Sequence, residues 1–311
     1  MIAFVFSGGG NRGAIEAGAL QALFTHGIQP NVLVGSSAGA MNAAFLALDP
    51  TPAGADQLAA RWLSLRRQDV FRGGPLVMAL RLLLGRDSLF SSRALRRLVH
   101  NQLPPGVSTF GDLPQHIRLY VTAASLNTGA LYLYGEDPSA DLAEAVLASA
   151  AHPVIFEPVE TAQHQLVDGG AVANVPIEIA IEKGAKTVYA IDVGYSGQAR
   201  PRARNVLDIV SYTISAMMYQ HLLDDLQQAA ASPQVTLHHI TIGGFEDTHM
   251  WDLSHTAEMI AHGRRVTQAY LANPQPVSET PRRASLTAQA VPVPKGARLY
   301  QPCRHRLTFD V

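Results

Sequence analysis

The chain has 311 residues, of which 47% are hydrophobic and 16% are charged. This length and composition suit one large α/β domain or two small ones with a sizeable core, and they argue against a chain that is disordered throughout. A formal net charge of −1 argues against nucleic acid as a bulk electrostatic partner. The single cysteine, Cys303, excludes an intrachain disulfide framework and a cysteine-based zinc site, and it suits a reducing compartment.

The N-terminal segment is a continuous apolar run that leads directly into glycines. Because residues 1–6 lack the basic region of a signal peptide, we predict a strand buried on both faces there. The most apolar later segment, residues 76–84, is too short to span a membrane and contains Arg81. The sequence therefore predicts a cytoplasmic protein, which can also lie peripherally at a membrane.

Residues 1–50 are predicted to begin a parallel sheet, because short apolar runs alternate with helical spacing. Strands are predicted at 2–6, 32–34, 117–124, 131–134, 187–193 and 235–242, and a further strand ends at 166–167. Helices are predicted at 14–26, 40–47, 141–149, 177–183, 205–231 and 253–271. Residues 51–115 are predicted to be mainly helical, with breaks at 73–75 and 104–106. Residues 273–311, rich in Pro, Arg, Ser and Thr without periodicity, are predicted to form an extended or partly disordered tail.

Residues 35–39, Gly-Ser-Ser-Ala-Gly, lie between a predicted strand and a predicted helix. A Gly-x-Ser-x-Gly segment in this setting is typical of a nucleophile elbow, in which a strained turn exposes the serine Oγ at the end of a sheet. A Cβ at Gly35 or Gly39 would collide with the neighbouring strand or helix. The following helix adds free N–H groups and the positive end of its dipole. The pattern therefore predicts Ser37 as a nucleophile.

Residues 7–13, Ser-Gly-Gly-Gly-Asn-Arg-Gly, formally match the Gly-x-Gly-x-x-Gly segment of dinucleotide-binding proteins. That function requires an acidic residue near the end of the second strand, yet no Asp or Glu lies between Glu16 and Asp49. A Walker phosphate loop is excluded because no Gly-Lys-Ser/Thr follows. The glycine run favours an oxyanion hole, whose backbone N–H groups meet the alkoxide formed by attack on an ester, with Arg12 adding positive charge. A tight turn needed only for close packing is the remaining alternative.

A serine nucleophile needs a base, which is most often a histidine held by an acid. None of the 12 histidines lies in a recognisable turn after a strand, and the His-Glu-x-x-His segment of a zinc peptidase is missing. Asp168, in contrast, ends a predicted strand and is followed by Gly169 and Gly170. Its carboxylate is expected at the same edge of the sheet as Ser37 if both strands run parallel. Taken alone, the segment is better explained as an ordinary Asp-Gly turn.

Taken together, four segments resemble the patatin-like phospholipase family of lipid acyl hydrolases. They are residues 7–13, 35–39, 148–153 and 168–170, the last followed by Asn174 and Pro176, and they lie in family order within residues 2–193. The resemblance implies a three-layer α/β sandwich with a mainly parallel central sheet, as a single domain over residues 1–272.

The resemblance also implies the site. It implies a catalytic dyad of Ser37 as nucleophile and Asp168 as base. The implied oxyanion loop consists of Gly8, Gly9, Gly10, Asn11 and Arg12. The implied supporting residues are Gly35, Gly39, Pro153, Gly169 and Gly170. Asn11 departs from the family pattern, in which bacterial members often carry alanine, and this difference can alter the contacts of the loop.

The implied activity is that of an esterase of the phospholipase A or lysophospholipase type, which forms an acyl-enzyme and needs no metal or cofactor. The implied partners are a phospholipid or another fatty-acyl ester and, transiently, a membrane surface, but no nucleic acid. A lipid-binding or regulatory module with little hydrolytic activity is the alternative, and a nucleotide-binding protein is a third hypothesis.

Two apolar segments, residues 154–156 and 75–90, give further expectations. Apolar residues 154–156 would raise the pKa of Asp168 if they lie over the site. The apolar cluster of residues 75–90, with arginines beside it, predicts either a buried core helix or a lid or acyl-pocket wall that can meet a lipid surface.

Overall fold

The computed structural model describes residues 1–277, apart from 195, 196, 198, 199, 201 and 233. The predicted tail beyond residue 277, together with Cys303, lies outside the described residues. The strands are β1 Ile2–Phe6, β2 Val32–Ser36, β3 Arg118–Ser125, β4 Leu131–Tyr134, β5 Val159–Glu160, β6 Gln165–Asp168, β7 Thr187–Asp192 and β8 Thr236–Thr241. The helices are α1 Gly13–Thr25, α2 Ala38–Leu48, α3 Pro52–Ser64, α4 Arg67–Val70, α5 Pro75–Leu83, α6 Arg93–Gln102, α7 Leu142–Ser149, α8 Ile177–Glu182, α9 Val206–Ala230 and α10 Thr256–Ala272.

The strands form one mixed sheet in the order β5-β6-β3-β2-β1-β7-β8, and β4 pairs with β3 outside this order. Strands β3, β2, β1, β7 and β8 run parallel to one another. Strands β4 and β6 are antiparallel to β3, and β5 is antiparallel to β6. The sheet is therefore mainly parallel, with its antiparallel part at one side.

Helices cover both faces of this sheet. Phe4 and Phe6 of β1 point to one face and pack in a core with residues of α1, α2, α3, α7 and α10. Ala3 and Val5 of the same strand point to the other face and pack with residues of α8 and α9. Because side chains alternate along a strand, burial on both faces requires the continuous apolar run found at residues 2–6. The predicted three-layer α/β sandwich with a mainly parallel sheet is confirmed.

The predicted helices and strands outside residues 51–115 agree with the structure to within three residues at their ends. Strand β5 was not predicted, because two residues are too few for a periodic pattern. Residues 51–115 are mainly helical but also leave the helical conformation between α5 and α6. There the N–H groups of Leu89 and Phe90 donate to the carbonyls of Val154 and Ile155, at 2.8 and 2.9 Å. This pairing with a distant segment explains a break that local propensity does not show.

The exposure of helix α5 contradicts one of the two interpretations of residues 75–90, namely a buried core helix. No residue of α5 is buried, whereas Leu89 and Phe90 after it are. The interpretation as a buried core helix is therefore wrong for α5. Among the described residues, no helix combines the length and the apolar composition that crossing a bilayer requires.

Helices α1 and α10 pack in close backbone contact. A Cβ built at Gly18 in α1 would overlap the backbone of Ile260, and one built at Gly263 in α10 would overlap the backbone of Ile15. Both positions therefore need glycine for the two helices to approach this closely. This contact joins the first helix of the fold to the last described one.

Candidate active site

The predicted nucleophile and the predicted base meet at one edge of the sheet. Ser36 ends β2 opposite Thr122 of β3, and Ser37 follows it in the turn to α2. Asp168 ends β6 opposite Ala123, one residue further along β3. The Oγ of Ser37 donates a hydrogen bond to Oδ2 of Asp168 at 2.6 Å. Two residues that are 131 positions apart in the sequence are thus in direct contact.

The route by which Asp168 reaches this edge differs from the expectation. Strand β6 is antiparallel to β3, which runs parallel to β2, so the condition that both strands run parallel is wrong. Strand β3 extends beyond the last residue of β2, and β6 pairs with that extension. Asp168 therefore arrives beside Ser37 from the opposite direction.

Ser37 occupies the strained turn that the elbow requires. Its φ of 56° and ψ of −125° lie outside the regions that a serine ordinarily adopts. A Cβ at Gly35 would lie 2.5 Å from the carbonyl oxygen of Gly39, and a Cβ at Gly39 would lie 2.5 Å from the carbonyl oxygen of Ser7. Side chains at these two positions would push α2 away from β2 and β1, so the glycines set the position of the turn.

Residues 148–153 support both members of the pair. The N–H of Ser37 donates to the Oγ of Ser149 at 2.8 Å, and the N–H of Asp168 donates to the carbonyl of Ala151 at 3.0 Å. Ser149 is fully buried at the end of α7. Residues 148–153 carry part of the family resemblance, but nothing local in the sequence shows where the hydroxyl of Ser149 points.

Burial controls the charge of Asp168, whose side chain is only 1% exposed. Burial raises the pKa of Asp168 above the usual aspartate value, while the nearby His152, the Ser37 hydroxyl and the N–H of Gly170 oppose this rise. The Gly170 N–H donates to Oδ1 at 2.8 Å. The Nδ1 of His152 lies 2.8 Å from the carbonyl of Pro153, so this nitrogen carries a proton. The direction of the pKa shift is the one expected from the sequence.

The glycine loop lies directly beside Ser37. A Cβ at Gly8 would lie 3.1 Å from the Cβ of Ser37. The N–H of Gly8 donates to the carbonyl of Asn174 at 3.0 Å, and the Nδ2 of Asn174 donates back to the carbonyl of Gly8 at 3.4 Å. In contrast, no described residue accepts a hydrogen bond from the N–H of Gly9 or Gly10. These two groups remain available to an anion.

The two polar side chains of the loop bind neighbouring segments. The Nδ2 of Asn11 donates to the carbonyls of His249 and Asp252, at 3.1 and 2.7 Å. The departure from the family pattern at Asn11 thus ties the loop to the segment before α10. The guanidinium of Arg12, which was expected to add positive charge, donates to the carbonyl of Gly194 at 3.5 Å.

A buried glutamate lies behind the loop. Glu16 accepts hydrogen bonds from Asn42 Nδ2 at 2.7 Å and from the Ser7 hydroxyl at 3.5 Å. Asn42 in turn accepts from the indole N–H of Trp62, and Ser7 accepts from the N–H of Val193. Burial raises the pKa of Glu16 well above the usual value, against the effect of Asn42 and Ser7. The sequence alone did not predict this network, although Glu16 is the single charged residue of α1.

The family model of patatin-like phospholipases matches residues 4–181 of the chain. The chain belongs to the patatin-like phospholipase family. All four segments that carry the resemblance lie inside the matched residues, whereas α9, β8 and α10 lie beyond them. Family membership supports a lipid hydrolase.

Curated relatives share the patatin-like region at low identity. Patatin-like phospholipase domain-containing protein 6 of Homo sapiens is 29% identical over 197 residues, which cover 62% of this chain but 13% of the relative. The chain therefore spans a small part of that relative's length. The uncharacterized protein YqhO of Bacillus subtilis is 27% identical over 237 residues, which cover 70% of this chain and 80% of that protein. Among solved structures, VipD from Legionella pneumophila aligns with a TM-score of 0.48 and 19% identity, over 87% of this chain and 66% of that chain.

Proposed function

We propose that this protein is a serine hydrolase of fatty-acyl esters, of the phospholipase A or lysophospholipase type, with Ser37 as nucleophile and Asp168 as general base. The 2.6 Å hydrogen bond from Ser37 Oγ to Asp168 Oδ2 carries the proposal. It joins a serine in a strained turn to a buried carboxylate, with no histidine between them. The family match supports a lipid ester as the substrate.

In the first half-reaction, Ser37 Oγ attacks the carbonyl carbon of the ester while its proton passes to Oδ2 of Asp168. The tetrahedral intermediate then collapses, the bond between the carbonyl carbon and the alcohol oxygen breaks, and the proton on Asp168 goes to the leaving alcohol. The products of this half-reaction are an alcohol or lysophospholipid and an acyl group esterified to Ser37.

In the second half-reaction, water attacks the acyl carbon and gives its proton to Asp168. Collapse of the second tetrahedral intermediate breaks the bond to Ser37 Oγ, which takes the proton back from Asp168. The fatty acid leaves, and both residues return to their starting protonation states. One carboxylate thus acts as base and acid in both halves.

The negative oxygen of each intermediate needs preorganised N–H donors. We assign this role to the N–H groups of Gly9 and Gly10 in the loop and of Ala38 after the nucleophile. No described residue accepts from the N–H of Ala38, which is the position that supplies one donor in related elbows. The N–H of Gly8 already binds Asn174, so Gly8 positions the loop. One such donor contributes about 3–4 kcal/mol to lowering the barrier.

The strength of the base follows from its burial. A carboxylate of ordinary pKa is a weak base for an alcohol. The raised pKa of Asp168 makes it a stronger base toward the hydroxyl of Ser37. The positive charge that His152 can carry limits this rise. A fully neutral carboxyl group could not accept the proton, so the influences that oppose the rise favour the ionised form that acts as the base.

Covalent labelling and turnover test the proposal. We expect wild-type protein to react with a fluorophosphonate probe and to hydrolyse p-nitrophenyl acyl esters, and Ser37→Ala to do neither. Ser36→Ala, which alters the buried serine next to it, is the matched control and should retain both. Turnover in folded Ser37→Ala would sink the assignment, and folded wild-type protein that is not labelled would favour the lipid-binding or regulatory alternative. Tight binding of NAD(P) measured by calorimetry would revive the nucleotide-binding hypothesis.

The identity of the lipid is a separate question. Profiling the lipid classes hydrolysed by purified protein would identify the head group and the acyl chain. A cytoplasmic location remains a prediction from the sequence.

A further inference from the structure

Helix α5 presents its apolar side chains to solvent. Leu76, Leu80 and Leu83 are 83%, 53% and 84% exposed, and Leu84 directly after the helix is 66% exposed. Because residues four and three positions apart lie on the same side of a helix, these leucines form one face. Surface helices of globular proteins normally turn the apolar face inward. Helix α5 does the opposite, and we call residues 76, 80, 83 and 84 the leucine face.

The opposite side of α5 is fixed to the protein. Met78 packs against the core. Arg81 donates a hydrogen bond to Glu157 at 2.8 Å and another to the carbonyl of Ser88 at 3.0 Å. The helix is therefore attached through Met78 and Arg81, and this attachment leaves the leucine face exposed.

The chain segment that contains α5 is strongly basic. Residues 61–97 contain nine arginines and two aspartates, whereas the rest of the chain has 15 basic and 23 acidic residues. Seven of the nine arginines are exposed. Within the described part of the chain, only Arg96 of these seven forms an ion pair, with Glu144. A chain of net charge −1 thus concentrates a formal charge of +7 on one segment.

A cavity of about 530 Å³ opens on this basic segment, between α4 and α6. Arg72 and Arg97 line it together with the amide side chains of Gln68 and Asn101. Guanidinium groups bind phosphate oxygens through paired hydrogen bonds. Asp69 also lines the cavity, but its Oδ2 already accepts the N–H of Arg66 at 2.9 Å. The cavity therefore offers a phosphate group two cations and two amide donors, against the single carboxylate of Asp69.

The same segment is connected to the candidate active site. After α5, Leu89 and Phe90 pair with Val154 and Ile155. Those two residues directly follow residues 148–153, which bind the backbone N–H groups of Ser37 and Asp168. The segment that carries the leucine face is therefore connected to Ser37 and Asp168 through residues 148–155.

We propose that the leucine face and its surrounding arginines dock this protein onto a membrane that contains anionic phospholipids. The leucines enter the outer hydrocarbon region, the arginines bind lipid phosphates, and Arg72 and Arg97 hold one head group in the cavity. An apolar face flanked by cations is the pattern of helices that lie in a membrane interface. The proposal rests on the proposed function in that docking would supply ester bonds of the bilayer to Ser37, to which the α5 segment is connected through residues 154 and 155.

Charge and apolarity together favour a membrane over other occupants. In a symmetric dimer through this face, the two basic segments would lie against each other and repel. Nucleic acid would neutralise the arginines but would leave the leucine face in water. An anionic bilayer satisfies both features of the surface.

Vesicle sedimentation tests the docking. The full chain with Ser37→Ala is mixed with vesicles of phosphatidylcholine, alone or with about one third phosphatidylserine, so that binding is measured without hydrolysis. We expect binding to the anionic vesicles to be at least tenfold tighter and to weaken as salt is added. Adding Leu80→Ser with Leu83→Ser should weaken it more than tenfold, and Arg72→Gln with Arg97→Gln should weaken it about thirtyfold.

Matched controls use the same substitutions elsewhere. Ile209→Ser with Met217→Ser changes two exposed apolar residues of α9, and Arg264→Gln with Arg265→Gln changes two exposed arginines of α10. Both double variants should bind vesicles as the parent does, and circular dichroism with thermal unfolding verifies the fold of every variant. Equal loss of binding in the control variants would overturn the assignment to α5.

Four further outcomes would also decide between the docking surface, a dimer and the proposed catalysis. Wild-type-like vesicle binding by the leucine-face variant would overturn the proposal. So would a dimer, seen by analytical ultracentrifugation, that this variant dissociates while vesicle binding stays unchanged, because a second copy would then be the occupant. Vesicle binding by a protein that hydrolyses no ester would retain the docking surface and reject the proposed catalysis. Hydrolysis without vesicle binding would do the reverse.

Discussion

Replacing Asp168 by asparagine should separate catalysis from stability. The variant loses the proton acceptor, but an asparagine can keep both hydrogen bonds of the aspartate. Its Oδ1 can accept the N–H of Gly170, and its Nδ2 can donate to Ser37 Oγ, which reverses the direction of the 2.6 Å bond. The side chain is buried and isosteric, so the geometry of the pair is retained while its chemistry is removed.

The size of the two effects follows from the site. A positioned general base contributes about 10²- to 10⁴-fold to the rate, which corresponds to about 3–5 kcal/mol at 1.36 kcal/mol per factor of ten. Burial raises the pKa of Asp168, so the ionised carboxylate opposes folding increasingly as the pH rises from the usual aspartate range through the raised pKa. Asparagine carries no such charge. We therefore expect kcat to fall at least a hundredfold while the thermal midpoint at neutral pH stays equal or rises.

The assay measures kcat on a p-nitrophenyl acyl ester and the thermal midpoint across pH for the same preparations. Asp192→Asn is the matched control, because Asp192 is a second buried carboxylate at this edge, bonded to the N–H of Gly194 and to His239. Its kcat should stay within about tenfold of wild type. Near-normal turnover in folded Asp168→Asn, or a lower midpoint than that of wild type at neutral pH, would refute the reasoning.

Two further predictions concern residues that hold the site. Glu16 has a raised pKa, so its contribution to stability is present at acid pH and is lost as the pH rises above the usual carboxyl range. Glu16→Gln should therefore flatten the dependence of the thermal midpoint on pH as the pH rises above the usual carboxyl range, and two parallel curves would contradict this. Ser149→Ala removes the acceptor of the Ser37 N–H and should cost about 1–3 kcal/mol of stability and lower kcat more than it changes KM. Ser36→Ala is the control, since no described residue bonds the Ser36 hydroxyl, and an equal loss there would count against a role of Ser149.

The parts of the site that could be predicted depend on the residues of one short segment each. A serine in a strained turn needs small residues at Gly35 and Gly39 wherever the rest of the chain lies, so a five-residue pattern predicts the elbow. The glycine run before α1 likewise exposes backbone N–H groups through its own sequence. The likeness of all four segments to one family then linked Ser37 to Asp168, which no local rule could do.

The parts that were not predictable depend on pairing between distant segments. Asp168 reaches Ser37 because β6 pairs with the extension of β3, and neither strand reveals this alone. The hydroxyl of Ser149 is useful only because it meets an N–H that is 112 residues away. For α5, the sequence predicted the helix but not the direction in which its leucines point. Its apolar spacing predicts an amphipathic helix, but whether leucines face a core or the outside depends on the anchor at Arg81.

The contact between α1 and α10, with the bonds from Asn11 to residues 249 and 252, has a consequence for synthesis. All four family segments have been translated by residue 181, yet the brace of the glycine loop comes from residues translated much later. A nascent chain thus contains Ser37, Asp168 and the glycine loop before the loop is secured. We therefore expect ester hydrolysis to require that the last described helix has docked against the first, because the glycine loop is secured only then.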